Sequence, residues 1–127
     1  MRILIVEDEL IIAIDVEEAL SEEGHQVVGI ARESETALGL AQRLKPDLAL
    51  VDVYLVDGET GPEIAGHLKG MGIPVLFMTA NASTLPDDMA GALGVIPKPV
   101  APYGLKRAVC WVADQDSDPP DLLILNR

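Results

Sequence analysis

The stretch that most constrains this chain is Leu48-Ala49-Leu50-Val51-Asp52, apolar on consecutive positions and closed by a carboxylate. A strand in a half-wet sheet alternates apolar and polar residues, whereas a strand covered on both faces does not. The run therefore reads as a central parallel strand between two layers of helix. Asp52 then stands at the strand's carboxyl end, the edge at which open α/β sheets bind ligands. A lone acid after a strand is otherwise only a loop cap, and the rest of the chain decides between the two.

Similar runs recur along the chain. Arg2 to Val6 reads as a first strand, Gln26 to Ala31 as a second, Leu48 to about Val53 as the third, Pro74 to Thr79 as a fourth and Gly94 to Pro99 as a short fifth. Between them the period becomes helical. Ile12, Val16, Ala19 and Leu20 form one stripe; Ala37, Leu38, Ala41 and Leu44 a second; Ile64, Ala65 and Leu68 a third, behind Pro62 at a first helical position. From Ala101 to about Ala113, Leu105, Ala108, Val109 and Val112 share a face and leave Tyr103, Arg107 and Cys110 on the other. Ala80 to Leu93 is expected to hold a fourth helix, short or mobile because of Pro86, Gly91 and Asp87-Asp88. Five strands alternating with five helices specify an α/β fold with a doubly wound, five-stranded parallel sheet and right-handed crossovers. Residues 1–115 read as this domain and residues 116–127 as a tail, acidic and proline-containing before it turns apolar at Leu122 to Leu125. Those four residues are expected to pack on the domain or on a second copy of the chain, unless they belong to a linker.

Composition bounds the partners. The chain is long enough for one domain with a proper core, and with one Phe, two Tyr and one Trp among 127 residues that core must be aliphatic. A formal charge of −12 argues against nucleic acid and anionic membranes, and suits a bound cation or a basic partner. The single Cys110 forms no internal disulfide, and no Cys/His cluster has zinc spacing, so a reducing, cytoplasmic setting is expected. No signal peptide is read at the start, and no apolar run approaches the roughly 20 residues of a membrane helix.

Four expected strands end in polar groups: Glu7-Asp8, Asp52, Thr79 and Lys98. In a doubly wound sheet these ends converge. Three carboxylates brought that close repel one another and raise at least one pKa unless a cation sits among them. All-oxygen ligation suits Mg²⁺, with Glu7 or Asp8, Asp52 and the backbone carbonyl of Tyr54 as donors. An ionised Asp52 beside such an ion is a competent nucleophile toward a phosphoryl group. Lys98 would pair with one phosphoryl oxygen and the Thr79 hydroxyl would donate to another, which is positioning and electrostatic work. Singly, each residue has a duller reading, as helix N-terminal charge, a strand threonine or a loop lysine; together they point to one site.

Glu7-Asp8, Asp52, Thr79 and Lys98-Pro99, in this order and on these strand ends, resemble the receiver domain of two-component response regulators, over about Met1 to Ala113. The resemblance implies a (βα)5 flavodoxin-like fold and Mg²⁺ (or Mn²⁺) held mainly through Asp8 and Asp52 with Glu7 beside them. It implies phosphorylation of Asp52 by a histidine kinase or histidine phosphotransfer protein, phosphoryl-binding and switch roles for Thr79, Ala80 and Lys98, and a cis peptide before Pro99. Beyond its own phosphorylation and dephosphorylation it implies no enzymatic activity. Leu55 to Glu59 and Phe77 to Asn81 further resemble a subgroup of stand-alone receivers reading Phe-Ala-Thr-Gly at the switch threonine, from which Met78 and Ala80 depart.

Other departures bear on mechanism. Many receivers carry an aromatic residue three positions before the lysine; here that position is Val95, so a rotating-ring switch is not expected. Tyr54 stands where a ring can shade a phosphoryl group from water or stack with a partner, and Ala80 leaves the pocket open to a phosphodonor. No DNA-binding module is read after the receiver, which suggests a stand-alone regulator acting on a downstream protein target by contact or phosphate relay, with Tyr103, Arg107 and Cys110 on the candidate output face. Three other readings compete. An aspartyl-nucleophile phosphatase would want a second acid where Tyr54 stands; a flavin or nucleotide module would want a Gly-rich loop where Glu7-Asp8-Glu9 stands; an interaction module not switched by phosphorylation is kept open by Val95.

Overall fold

The computed structural model describes residues 1–126. Arg127, the last residue of the expected tail, lies outside the described residues. The chain runs β1 (Arg2–Val6), α1 (Leu10–Glu22), β2 (Gln26–Ala31), α2 (Ser34–Leu44), β3 (Leu48–Asp52), α3 (Gly61–Gly70), β4 (Val75–Thr79), β5 (Gly94–Pro97), α4 (Pro102–Ala113) and β6 (Ile124–Leu125). Strand order is β2-β1-β3-β4-β5-β6, parallel throughout except for β6, which lies antiparallel against β5.

Each apolar run buries both of its faces, because successive side chains point to opposite sides of the sheet. Leu4, Val6, Ala49, Val51 and Phe77 pack against Ala37 and Ala41 of α2 and Ile64, Ala65 and Leu68 of α3. The alternate residues Ile3, Ile5, Leu48, Leu50, Leu76 and Met78 pack against Ala13, Val16 and Leu20 of α1 and Leu105, Ala108 and Val109 of α4. Every residue of β3 and β4 is buried. Consecutive apolar positions are what two helical layers require.

Two expectations are corrected. Among the described residues the sheet has six strands, not five: Ile124 pairs with Val95 and Leu125 with Gly94, so the apolar tail residues cover the outer edge of β5 in their own chain. Among the described residues the α-helices number four, not five: between β4 and β5 stand two single 3₁₀ turns, Ala82–Thr84 and Met89–Gly91. Pro86 brings no N–H to a helical ladder there, and Met89, Ala90 and Gly91 are all left-handed, a conformation that ends right-handed helix. α3 starts beside the end of β3, with Pro62 in its first turn. A Cβ at Gly61 would lie 2.3 Å from the Asp52 carbonyl oxygen and 2.6 Å from the Val53 Cα, so only glycine lets the helix begin so close to the strand.

Candidate functional site

Because β1, β3, β4 and β5 are parallel, their carboxyl ends share one edge of the sheet. Val6 lies beside Val51, which brings Glu7 and Asp8 next to Asp52; Thr79 lies beside Pro97, which brings Lys98 to the same edge. The backbone fixes these ends further: the Glu7 N–H donates to the Ala31 carbonyl at 2.9 Å, and the Lys98 N–H to the Thr79 carbonyl at 2.9 Å.

At the centre is an ion-paired cluster. Lys98 Nζ donates to Glu7 Oε1 at 3.1 Å and to Asp52 Oδ2 at 3.0 Å. Glu7 has no exposed surface and Asp52 is 6% exposed. Asp8 is partly exposed, and one carboxylate oxygen from each of Glu7, Asp8 and Asp52 lies within 4.8 Å of the others. Burial, then the hydrogen bond and charge of Asp52, push the Glu7 carboxyl up to about 8 against the opposing pull of Lys98. Burial draws the Lys98 ammonium down, but its hydrogen bonds to Asp52 and Glu7 and their charges outweigh it, so its pKa is raised. Without a metal, then, Glu7 holds a proton near neutrality while Lys98 stays charged. Three carboxylates against one ammonium leave a net negative charge, and the donors are all oxygen. That donor set fits a hard divalent cation such as Mg²⁺.

The other expected residues are placed as follows. Thr79 is buried, and its Oγ1 accepts from the Asn81 N–H at 3.2 Å, so the hydroxyl is engaged within its own loop. Ala80, Lys98 and the cis-linked Pro99 line a cavity of about 400 Å³ walled by Ile12 and Val16 of α1 and Leu105 of α4. Tyr54 is 47% exposed just past Asp52. Val95 is fully buried in the core, between Phe77 and Ile124, with no ring to rotate. Tyr103 is exposed with the Arg107 guanidinium over its ring, and with Cys110 they border a cleft of about 350 Å³ shared with Ser117 and Asp118. That group is not part of the acid cluster.

Some contributors were not legible beforehand. The direct clasp of Lys98 on Glu7 is one, since sequence places both residues on one edge without giving their contact. Asp57 is another: it accepts from the Ser34 N–H and Oγ and from Thr60 Oγ1 at 2.6 Å, tying the loop after β3 to the start of α2. The Thr60 and Ser34 hydrogen bonds hold its carboxyl below the usual range. The Asp57-Gly58 pair was the one available signal of a turn there.

An open, essentially parallel sheet with three acids and a lysine gathered at its carboxyl edge is the flavodoxin-like receiver architecture. The chain belongs to the response regulator receiver domain family, whose model matches residues 3–110, and it is thus a module of two-component signalling. It is 36% identical over 111 residues to the phyllosphere-induced regulator PhyR of Methylorubrum extorquens, covering 85% of this chain and 42% of that one. It is 33% identical over 105 residues to the transcriptional regulatory protein PdtaR of Mycobacterium tuberculosis, covering 82% and 51%. The chain thus spans about half or less of those relatives. Among solved structures, the signal receiver domain of a modulated diguanylate cyclase from Desulfovibrio desulfuricans, described as an example of alternate folding, aligns at a TM-score of 0.80 with 31% identity over 90% of this chain and 94% of that one. PhyR from Brucella abortus aligns at 0.71 with 31% identity, over 91% and 53%. Among the described residues no helix is long and apolar enough to cross a membrane.

Proposed function

We propose that Asp52 is the phosphoacceptor of a two-component relay, fed by a histidine kinase or a histidine phosphotransfer protein. The observation that carries this reading is the Lys98 ammonium bridging Asp52 and Glu7 at 3.0 and 3.1 Å, with Asp8 alongside. An Asp52 carboxylate oxygen attacks the phosphorus of a phosphohistidine; the P–N bond breaks and the imidazole leaves with its electron pair, taking up a proton. Asp8 and Asp52, with Glu7 beside them and the Tyr54 carbonyl, are the residues that would hold Mg²⁺ or Mn²⁺. Such an ion, when bound, screens the charge of the attacking carboxylate and the transferred group. Lys98 already lies on Asp52, and after transfer it pairs with a phosphoryl oxygen as a fixed point charge. The Thr79 hydroxyl, whose oxygen accepts from the Asn81 N–H, turns to donate its hydrogen to a second phosphoryl oxygen, and the small Ala80 leaves room for the donor.

Leu10 and Ile11, 60% and 78% exposed at the start of α1, with Tyr54 on the neighbouring loop, supply apolar surface where a phosphodonor protein must approach. Signalling then proceeds by protein contact or phosphate relay, with the face of Tyr103, Arg107 and Cys110 toward a downstream target or a second copy. The similarity to PhyR, named an anti-anti-sigma factor in Bartonella quintana, favours a protein target. The test is intact mass after incubation with acetyl phosphate and Mg²⁺. One added phosphoryl group that requires both Mg²⁺ and Asp52 supports the reading. Absence of an adduct, together with absence of a beryllofluoride complex, refutes it and leaves an interaction module that phosphorylation does not switch.

A further inference from the structure

The connection from β4 to β5 carries three consecutive left-handed residues, Met89 at φ 50°, Ala90 at 51° and Gly91 at 83°. Glycine tolerates this, but a residue with a side chain is disfavoured there roughly five- to thirtyfold against right-handed backbone. The turn is therefore held: within it the Asp88 carboxylate accepts from the Ala90 N–H at 2.9 Å, and from outside it is tied by Asn126. Its side-chain amide donates to the Asp88 carbonyl at 2.9 Å and to the Ala92 carbonyl at 2.7 Å, the two carbonyls that bracket the strained residues. Its backbone N–H donates to the Leu93 carbonyl at 3.0 Å.

The segment leading to Asn126 has a fitted seat. A Cβ at Gly94 would lie 2.5 Å from the Ile124 carbonyl oxygen, and a Cβ at Gly104 would lie 2.5 Å from Leu122 Cδ2. Leu123 is 6% exposed, in the core layer of Ile96 and Leu105. The same connection begins at the acid site, where Thr79 Oγ1 accepts from the Asn81 N–H. One span, residues 80–93, thus has its first end on the switch threonine and its last end under Asn126.

We infer that residues 122–126 are a latch that holds the β4–β5 connection in a strained state, and that occupation of the Asp52 site releases it through Thr79. The coupling rests on the reading of Asp52 as phosphoacceptor. When the Thr79 hydroxyl turns to a phosphoryl oxygen, Asn81 loses its anchor and the span shifts. Met89 and Ala90 relax to right-handed backbone, and the Asp88 and Ala92 carbonyls leave Asn126. Release uncovers Gly94 and Val95 on the β5 edge, a surface that fits an extended apolar segment running antiparallel, as the chain's own does. Reciprocity fixes the sign: a change that weakens the latch strengthens binding of a phosphoryl analogue.

Two full-length variants outside the acid site test this against the unsubstituted chain. Asn126→Ala removes both side-chain hydrogen bonds. Ala90→Gly relieves the left-handed strain and also disfavours the right-handed alternative, so it tightens the latch. The readouts are amide exchange at Ala92 and at position 126, whose N–H groups donate to the Met89 and Leu93 carbonyls, and affinity for beryllofluoride in Mg²⁺. Asn126→Ala is expected to lower protection about tenfold and to tighten beryllofluoride binding about three- to tenfold; Ala90→Gly is expected to move both the other way. Unchanged exchange in both variants overturns the latch. Altered exchange with unchanged affinity overturns its coupling to the site. If no chain binds beryllofluoride, the phosphoacceptor reading and the coupling fail together, while the exchange comparison still decides the latch.

Discussion

Lys98 and Glu7 are joined across the edge of the sheet, Nζ to Oε1 at 3.1 Å, with the carboxylate wholly buried. A buried acid with one cation partner depends on that partner, because losing it leaves a charge that must be neutralised or paid for in desolvation. Lys98→Ala should destabilise the metal-free protein by about 2–4 kcal/mol above neutral pH, and by less in mild acid, where Glu7 takes a proton instead. Urea unfolding at both pH values measures the difference. Equal losses would mean that the ion pair is not what Lys98 contributes.

The raised Glu7 pKa sets a pH dependence with a definite sign. The unfolded carboxyl titrates near 4.5 and the folded one near 8, so between these values the folded state binds the extra proton. Stability from this group is therefore complete below 4.5 and is lost as pH rises through 8. Metal-free protein should melt at a lower temperature at about pH 9 than at about pH 6, by an amount worth of order a few kcal/mol. Glu7→Gln should flatten the slope, and Mg²⁺, by favouring the ionised acids, should restore stability at the alkaline end. A wild-type slope that survives Glu7→Gln would assign it to other groups.

Gly61 offers a cleaner contrast because a second glycine shares its helix. A methyl at Gly61 meets the backbone of Asp52 and Val53, whereas at Gly66 it meets nothing within 4 Å. Gly61→Ala should cost about 1–3 kcal/mol or more through displaced backbone. Gly66→Ala should stabilise by about 0.5–1 kcal/mol through helix propensity. Since the displaced backbone carries Asp52, Mg²⁺ affinity by calorimetry should fall in the first variant alone; loss of affinity in both would make the effect one of the helix as a whole.

How far the sequence could be read follows from the length of each signal. Leu48 to Val51 and the stripe of Leu105, Ala108 and Val109 repeat over enough positions to specify strand and helix, and parallel pairing then gathers Glu7, Asp8, Asp52 and Lys98 without further information. Ile124-Leu125 is too short for any period, and its pairing depends on Gly94 lacking a side chain that would strike Ile124. The Ala80 to Leu93 span carried Pro86 and Gly91 as warnings against helix, but its left-handed turn is hydrogen-bonded on both sides by Asn126, a residue far along the chain. Tertiary contacts decide such segments, and local propensity does not contain them. Within the site, the convergence of acids was legible, whereas the engagement of Thr79 by Asn81 was not.

The short β6 makes a last prediction that separates burial from pairing. Leu123 is 6% exposed in the layer formed with Ile96 and Leu105, while Ile124, next to it and actually hydrogen-bonded in the sheet, is 43% exposed. If the segment is held chiefly by its buried side chain, Leu123→Ala should cost about 2–3 kcal/mol, the range for an apolar core deletion that can partly collapse. Ile124→Ala should cost about 0.5 kcal/mol, as a surface change on a strand does. Both variants keep every backbone donor and acceptor, so ladder hydrogen bonding is the same in each. Chemical denaturation of the two proteins under one set of conditions makes the comparison; similar small losses would show that the backbone ladder, not Leu123, seats the segment on β5.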